Sequence, residues 1–217
     1  MDLALPDLTL PAGFLYQSDV VTASEEAQLV SHVRAFAFAE VEMRGRVARR
    51  RTAHFGWVYG YASWRIAPGP PIPEVLLPLR ARAAALAGVA PEALVEVLVT
   101  EYPPGAGIGW HRDAPQFGPV VGVSLLGSCR LRFRRGPGAA RHPRGAVLEP
   151  RSAYVLAGQA RWQWQHSIPP QTALRYSITF RTLRTRSDRA AAAPSQGRCT
   201  MAPGPAESSG QDGRRPQ

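Results

Sequence analysis

The sequence predicts a mainly β protein with flanking helices, whose short strands form a sandwich or barrel rather than a parallel sheet. From about residue 93 onward, strand-like runs alternate with turn residues, a spacing typical of antiparallel β architectures. In the run CRLRFRR, Cys129, Leu131 and Phe133 alternate with arginines, which indicates one buried and one solvated face. Clear helical periodicity is limited to two segments nearer the N-terminus.

The two helical segments have recognisable ends. In TASEEAQLVSHVRAFAF, Thr22 and Glu25 have the spacing of a capping box, and apolar residues recur at helical intervals after them. The second helix is predicted from about Ile72 to Ala87. Pro73 lies near its start and Gly88 ends it, as expected of these two residue types.

The segment between the helices, RGRVARRRTAHFGWVYGYASW, is basic, aromatic and interrupted by glycines. It is a poor helix and predicts a hairpin or a surface flap. In an extended conformation four of its aromatic residues share one parity and therefore one face. These residues are Phe55, Trp57, Tyr59 and Tyr61. Such a face can stack on a base that has left its helix, or it can pack on the core, and the sequence leaves both interpretations open.

The remaining chain divides into a core and a tail. The predicted core strands lie in LVEVLVTEY, VVGVSLL, CRLRFRR, AVLEPRSAYVLAG, RWQWQHSI and RYSITFRTLR. After about Arg184 the chain has few large apolar residues and many Pro, Gly, Ser and Ala residues, a composition typical of disorder. We therefore expect N-terminal helices and the flap over residues 1–92, a β core over 93–184 and a disordered tail over 185–217.

Composition limits the partners and the compartment. All 26 basic residues are arginines, against 16 acidic residues, and the net charge is +10. GC-rich codon usage is one explanation for the absence of lysine. The positive net charge itself, whatever its origin, favours polyanionic partners. The two cysteines are far apart, which fits a reducing, cytoplasmic compartment. No signal peptide or membrane span is predicted, and we expect a monomer without a membrane partner.

A possible metal site lies in WHRD. His111 and Asp113 are two residues apart, so on an extended segment both point to the same face. The pair alone is better explained as two exposed polar residues near a turn. His166, on a later predicted strand, is the candidate third ligand. Two histidines and one carboxylate on one face of a metal are the facial triad of non-haem Fe(II) oxygenases, which leaves positions for a cosubstrate and O₂.

The last predicted strand offers a partner for an acidic cosubstrate. Arg175 and Arg181 in RYSITFR are six residues apart, so they share one strand face. A dicarboxylate that binds iron at one end needs a cation at the other, and the planar guanidinium suits this role. The alternative is a solvated face of an edge strand.

Taken together, these motifs resemble the AlkB family of Fe(II)- and 2-oxoglutarate-dependent dioxygenases. The family pattern is approximately N-x-Y-x-x-G-x-x-I-x-x-H-x-D, then a distant His, then R-x-x-x-x-x-R. The residues that match it are Tyr102, Gly105, Ile108, His111, Asp113, His166, Arg175 and Arg181. Thr100 stands where the family has asparagine, and a hydroxyl replaces only part of an amide's contacts. Pro115 stands where some members have a carboxylate for base recognition.

The resemblance implies a double-stranded β-helix, or jelly-roll, core with a substrate lid before it. It implies that His111, Asp113 and His166 are the catalytic Fe(II) ligands. It assigns 2-oxoglutarate to Thr100, Tyr102, Arg175 and Arg181. The implied reaction is oxidative dealkylation of N-alkylated bases in DNA or RNA, as in DNA repair, with O₂ consumed and succinate, CO₂ and an aldehyde released.

The substrate side is expected in the basic and aromatic segment. Arg49, Arg50 and Arg51 are candidate phosphate contacts, and Trp57, Tyr59 and Tyr61 are candidate base contacts. Two alternatives remain at this level. One keeps the chemistry and changes the substrate to a protein or a small molecule. The other is a non-catalytic nucleic-acid-binding module on a degenerate oxygenase fold, which the complete ligand set disfavours.

Overall fold

The computed structural model describes residues 10–43, 45–60, 65–136 and 144–188. The strands are β1 (Phe14–Gln17), β2 (Ala39–Met43), β3 (Arg46–Gly60), β4 (Arg65–Pro68), β5 (Leu94–Tyr102), β6 (Ile108–His111), β7 (Phe117–Leu126), β8 (Cys129–Arg134), β9 (Arg144–Leu148), β10 (Ala153–Leu156), β11 (Gln165–Ile168) and β12 (Arg175–Leu183). The helices are α1 (Ala23–Arg34), α2 (Leu77–Ala87) and the short α3 (Gly158–Trp162). This composition confirms the prediction of a mainly β protein with flanking helices.

Two antiparallel sheets make up the architecture of the described residues. The large sheet has eight strands in the order β1-β10-β7-β12-β5-β3-β2, with β4 added to β3. The small sheet has four strands in the order β6-β11-β8-β9. Strands β1, β2 and β3 come from the N-terminal part of the chain, so that part completes the same sheet as the later strands.

Two hydrophobic clusters show how the layers pack. One lies between the sheets and includes Leu131 and Phe133 of the small sheet and Val120 and Leu156 of the large one. The other lies on the opposite face of the large sheet, where residues of α1 and α2 cover it, Val33 among them. The protein is therefore a β sandwich with helices on one outer face, which confirms the predicted sandwich-or-barrel class.

The helix ends follow the predictions closely, with one shift. Thr22 and Glu25 do form a reciprocal capping box at the start of α1. Gly88 ends α2 in the left-handed conformation, with φ of 66°. The α-helical turns begin at Leu77 rather than at Ile72, after a 3₁₀ turn over Glu74–Leu76. No helix among the described residues has the length and apolar character required to cross a bilayer.

The basic and aromatic segment is more deeply integrated than a surface flap. It makes the hairpin-like pairings expected of it, with β2 before and β4 after. Its centre, residues 51–56, however, pairs with β5 inside the large sheet. The prediction of a flap is wrong for this part, because Ala53 faces the helices and is buried with Val97 and Val99 of β5.

The expectation that the aromatic residues share one face is also wrong, and Gly56 is the reason. Gly56 has φ of 76°, so the two-residue repeat of the extended chain is interrupted there. Phe55 packs in the cluster beneath the helices, whereas Tyr59 borders a cavity between the sheets. Trp57 is 36% exposed. Tyr61 lies outside the described residues.

Candidate active site

A cavity of about 600 Å³ lies between the two sheets. Strands β3, β5 and β12 of the large sheet form one wall, and β6 and β11 of the small sheet form the other. His111, Asp113 and His166 all border it. The three residues that the sequence predicted as metal ligands therefore lie around the same cavity.

A β-bulge brings the two histidines to the same side. His166 pairs directly with His111, and Ile168 pairs with Ile108, so β6 has one extra residue between the two pairs. The extra residue lets Trp110 turn outward while His111 faces the cavity. As a result the imidazole ring centroids of His111 and His166 are 4.3 Å apart.

A hydrogen bond orients the ring of His111, and the other two candidate ligands approach each other. The Nδ1 of His111 is 2.8 Å from the carbonyl oxygen of Gly109. Because a carbonyl only accepts, Nδ1 is the donor of this hydrogen bond, and in the neutral ring Nε2 then has its lone pair available for a ligand. The Nε2 of His166 is 3.5 Å from the Oδ2 of Asp113. That Oδ2 is buried and has no hydrogen-bond donor among the described residues.

These donors fit a divalent metal, although they are not grouped as tightly as a coordination sphere. Across the described ranges, no three His, Cys, Asp or Glu side chains already meet the geometry of a metal site. The orphaned Asp113 Oδ2 supports the fit, because a buried carboxylate oxygen without a donor is costly unless a cation neutralises it. Two imidazoles and one carboxylate are also the donor set that suits non-haem iron.

Electrostatics hold both types of ligand in the form that binds metal. Burial by itself would raise the pKa of Asp113, but Arg181 and then His166 outweigh it and keep that pKa well below its ordinary value. Burial, followed by the neighbouring His111, lowers the pKa of His166 to about 3. At neutral pH the pair therefore consists of a carboxylate and a neutral imidazole.

Arg175 is a buried cation with unused donors. Its side chain is 0% exposed. Its Nε donates to Ser124 Oγ at 2.9 Å, but neither terminal nitrogen has a partner among the described residues. The Tyr102 ring lies 5.3 Å from the guanidinium. A buried guanidinium with two free donors is costly without an anion, so it fits the carboxylate of a cosubstrate.

Arg181 occupies a different position from Arg175, although the two share a strand. Its Nη1 donates to Glu96 Oε2 at 2.8 Å, and its Nε and Nη2 donate to Asp113 Oδ1 at 3.2 and 2.7 Å. Arg181 therefore borders the candidate metal side of the cavity. Thr100 is buried between Thr52 and Ser177 in the sheet and also borders the cavity.

Two buried charged residues at or beside this site were not predicted from the sequence. Glu96 is 2% exposed and balances Arg181. Arg161 is also 2% exposed and donates to the carbonyl oxygens of Ala114, Phe117 and Gly118. The signal for Glu96 was present, because it is one acidic residue within the apolar run LVEVLV. Nothing in the sequence around Arg161 marked it.

The candidate substrate residues do not all face the cavity. Arg50 is 9% exposed and borders the cavity with Tyr59. Arg49 is exposed and its guanidinium lies close to Gly105. Arg51 points to the other face of β3 and pairs with Glu101, with N–O contact at 2.6 Å. Trp57 is not among the residues that border the cavity.

Comparison with known proteins agrees with this geometry. The family model of the 2OG-Fe(II) oxygenase superfamily matches residues 13–181. The chain is 28% identical over 187 residues to the alkylated DNA repair protein ALKBH8 homolog of Arabidopsis thaliana, covering 75% of this chain and 52% of that protein. It is 25% identical over 174 residues to the mouse tRNA (carboxymethyluridine(34)-5-O)-methyltransferase ALKBH8, covering 75% of this chain and 25% of that protein. The chain thus spans from a quarter to about half of these relatives.

Solved structures share the fold. OsALKBH1 superposes with a TM-score of 0.59 at 16% identity, covering 78% of this chain and 98% of the other. A prolyl-4-hydroxylase from Pseudomonas putida superposes with a TM-score of 0.56 at 16% identity, covering 79% and 93%. These likenesses confirm the jelly-roll core that the motifs implied. The chain belongs to the 2OG-Fe(II) oxygenase superfamily, as a dioxygenase whose cofactors are Fe(II), 2-oxoglutarate and O₂, and it is similar to AlkB-like proteins.

Proposed function

We propose that this enzyme oxidatively removes alkyl groups from bases in nucleic acid, and that His111, Asp113 and His166 hold its iron. The observation that carries the proposal is the character of the cavity beside these residues. Apart from Asp113 and Glu96, no carboxylate of the described residues borders it, whereas Arg50, Arg112 and aromatic side chains do. A base that has left its stack needs aromatic contacts, and its flanking phosphates need cations.

The relatives support the same substrate class. The name of the Arabidopsis relative refers to alkylated DNA, and that of the mouse relative refers to a modified uridine of tRNA. Both names concern nucleic acid with a modified base. Because each relative is longer than this chain, we take only the substrate class from them.

Each residue of the site has a separate role in this proposal. Arg175 receives the distal carboxylate of 2-oxoglutarate on its two terminal nitrogens, which have no hydrogen-bond partner in the described ranges, beside Tyr102. Arg181 orients Asp113 by binding the oxygen that does not face His166. The buried walls exclude bulk water and hold the alkylated base near the ligands. When bound, Fe(II) with 2-oxoglutarate and O₂ supplies the oxidation of a C–H bond of the alkyl group.

A panel of methylated oligonucleotides tests the proposal. RNA and DNA strands with single methylated bases are incubated with the protein, Fe(II), 2-oxoglutarate and O₂, and the mass of each base is measured. Loss of the methyl group from at least one strand, dependent on 2-oxoglutarate, is expected. If peptides are oxidised and no oligonucleotide is, the substrate is protein. If no succinate forms under any condition, the chain is a binding module.

A further inference from the structure

The outer face of the small sheet carries an arginine surface, which we define by Arg130, Arg132 and Arg134. Cys129, Leu131 and Phe133 of the same strand face the space between the sheets, so the three arginines point away from it. Arg144 is the only other charged residue within the bounds of β8, β9 and β11. No carboxylate therefore lies on those strands to balance the surface.

Two of these guanidinium groups are held in place by uncharged partners. Arg132 Nε donates to Ser167 Oγ at 3.2 Å, and Arg134 Nε donates to Gln165 Oε1 at 2.8 Å. Both groups also lie against the ring of Trp110, at 5.2 and 4.6 Å from its centroid. Each arginine is thus oriented across β11 while its charge stays uncompensated, and neither pairs with a carboxylate among the described residues.

This arrangement differs from that of arginines with structural roles. Arg51, Arg82 and Arg181 each pair with a carboxylate. Arg161 donates its hydrogen bonds to backbone carbonyl oxygens. Repulsion between like charges on one strand is unfavourable unless something binds them. Oriented guanidinium groups with outward N–H donors match phosphate oxygens, to which they can donate two hydrogen bonds.

Trp110 connects the arginine surface to the active site. The β-bulge turns this residue outward onto Arg132 and Arg134, yet it still borders the cavity. A strand that left the cavity past Trp110 would run directly onto the arginine surface. A basic track with aromatic side chains is the usual surface for a single-stranded nucleic acid.

We propose that Arg132 and Arg134 bind the sugar–phosphate backbone of the substrate strand beside the base that enters the cavity. This inference rests on the proposed function, because it requires a nucleic-acid substrate. It places phosphate recognition on the small sheet, in addition to the candidate contacts at the other wall of the cavity. The contacts are electrostatic and independent of sequence.

Binding of a labelled single strand tests the inference. A fluorescein-labelled strand of about 12 nucleotides, within the usual site sizes of such surfaces, is titrated with the protein at several salt concentrations. Loss of two phosphate contacts lowers the log–log salt slope by about 1.4, at about 0.7 per contact on single strands. The variant Arg132→Gln with Arg134→Gln is expected to show this loss together with weaker binding.

Three controls make the result specific. Arg34→Gln, on the exposed side of α1, removes one positive charge elsewhere and should leave the slope unchanged. Arg132→Lys with Arg134→Lys keeps the charge and should keep most of the slope. Decarboxylation of 2-oxoglutarate without nucleic acid should continue in all variants, which also shows that they fold.

The outcomes separate the two proposals. If the wild-type protein binds the strand and the double glutamine variant has the same salt slope, the arginine surface is not the backbone site and the inference fails alone. If the wild-type protein binds neither RNA nor DNA, the proposed function fails, and this inference with it.

Discussion

Arg181 and Asp113 are joined by two hydrogen bonds to a single carboxylate oxygen, at 3.2 and 2.7 Å, which leaves the other oxygen of Asp113 facing His166. The guanidinium therefore fixes the rotation of the carboxylate and selects the oxygen that remains for a metal. Glu96 holds the same guanidinium from the opposite side. Replacement of a side chain that orients a metal ligand in this way commonly lowers metal affinity by about 10- to 100-fold.

Glu96→Gln is expected to weaken metal binding by about 10-fold. Without the charge of Glu96, Arg181 is drawn more strongly to Asp113 and competes with the metal for it. Calorimetric titration with Mn(II), used without O₂, measures the change. Glu101→Gln is the matched control, because Glu101 is buried on the same strand but pairs with Arg51 on the opposite face. Equal Mn(II) affinities of the wild type and Glu96→Gln would contradict the positioning role.

His166→Ala is expected to abolish 2-oxoglutarate turnover, with a loss of at least about 100-fold, and the protein should remain folded. The same result is expected for His111→Ala and Asp113→Ala. Succinate release measures turnover, and circular dichroism checks the fold. His32→Ala, at an exposed position on α1, should keep full turnover. Retained turnover in His166→Ala would remove this residue from the ligand set.

Arg175→Gln should raise the Kd for 2-oxoglutarate while leaving metal affinity unchanged. Loss of a charge-assisted contact costs about 1.5–3 kcal/mol, which is roughly 10- to 150-fold in affinity. Titration of 2-oxoglutarate into the Mn(II)-loaded protein measures this change. Arg51→Gln serves as the control because it removes the same charge away from the cavity. An unchanged Kd in Arg175→Gln would mean that the cosubstrate carboxylate binds elsewhere.

Arg161→Met should destabilise the segment that follows Asp113. The guanidinium donates to three backbone carbonyls in residues 114–118, and their loss in a buried setting costs on the order of 3 kcal/mol. Methionine keeps most of the buried volume, so the change isolates the hydrogen bonds. Hydrogen exchange should rise first at the amides of this segment. Uniform protection with an unchanged melting temperature would show that Arg161 is dispensable there.

The sequence predicted the parts of the protein that follow local rules. The capping box at Thr22 and the left-handed Gly88 are set by neighbouring residues, so pattern alone located them. The alternation at Cys129–Arg134 likewise identified the buried face of β8 correctly. His111, Asp113 and His166 matched the pattern of a known family. That match indicated that the three residues lie close together, although His166 is distant in sequence.

The pairing of distant strands and the local interruption of an extended strand could not be predicted from the sequence. Parity along β3 implied one aromatic face, but Gly56 adopts a positive φ that the sequence did not reveal, and Phe55 and Tyr59 end on opposite sides. The pairing of residues 51–56 with β5 depends on burial against the helices. The partners of Glu96 and Arg161 depend on the tertiary fold in the same way. Most of the predicted tail, residues 189–217, lies outside the described residues.

Aldehyde and succinate, measured together during turnover of a methylated single strand, test the proposed dealkylation. We expect formaldehyde to appear only with the methylated strand and in a fixed ratio to demethylated base, with succinate rising in parallel. His166→Ala should produce neither. Succinate that forms at the same rate with methylated and unmethylated strands, without formaldehyde or any change in base mass across RNA and DNA, would contradict the assignment of nucleic-acid dealkylation.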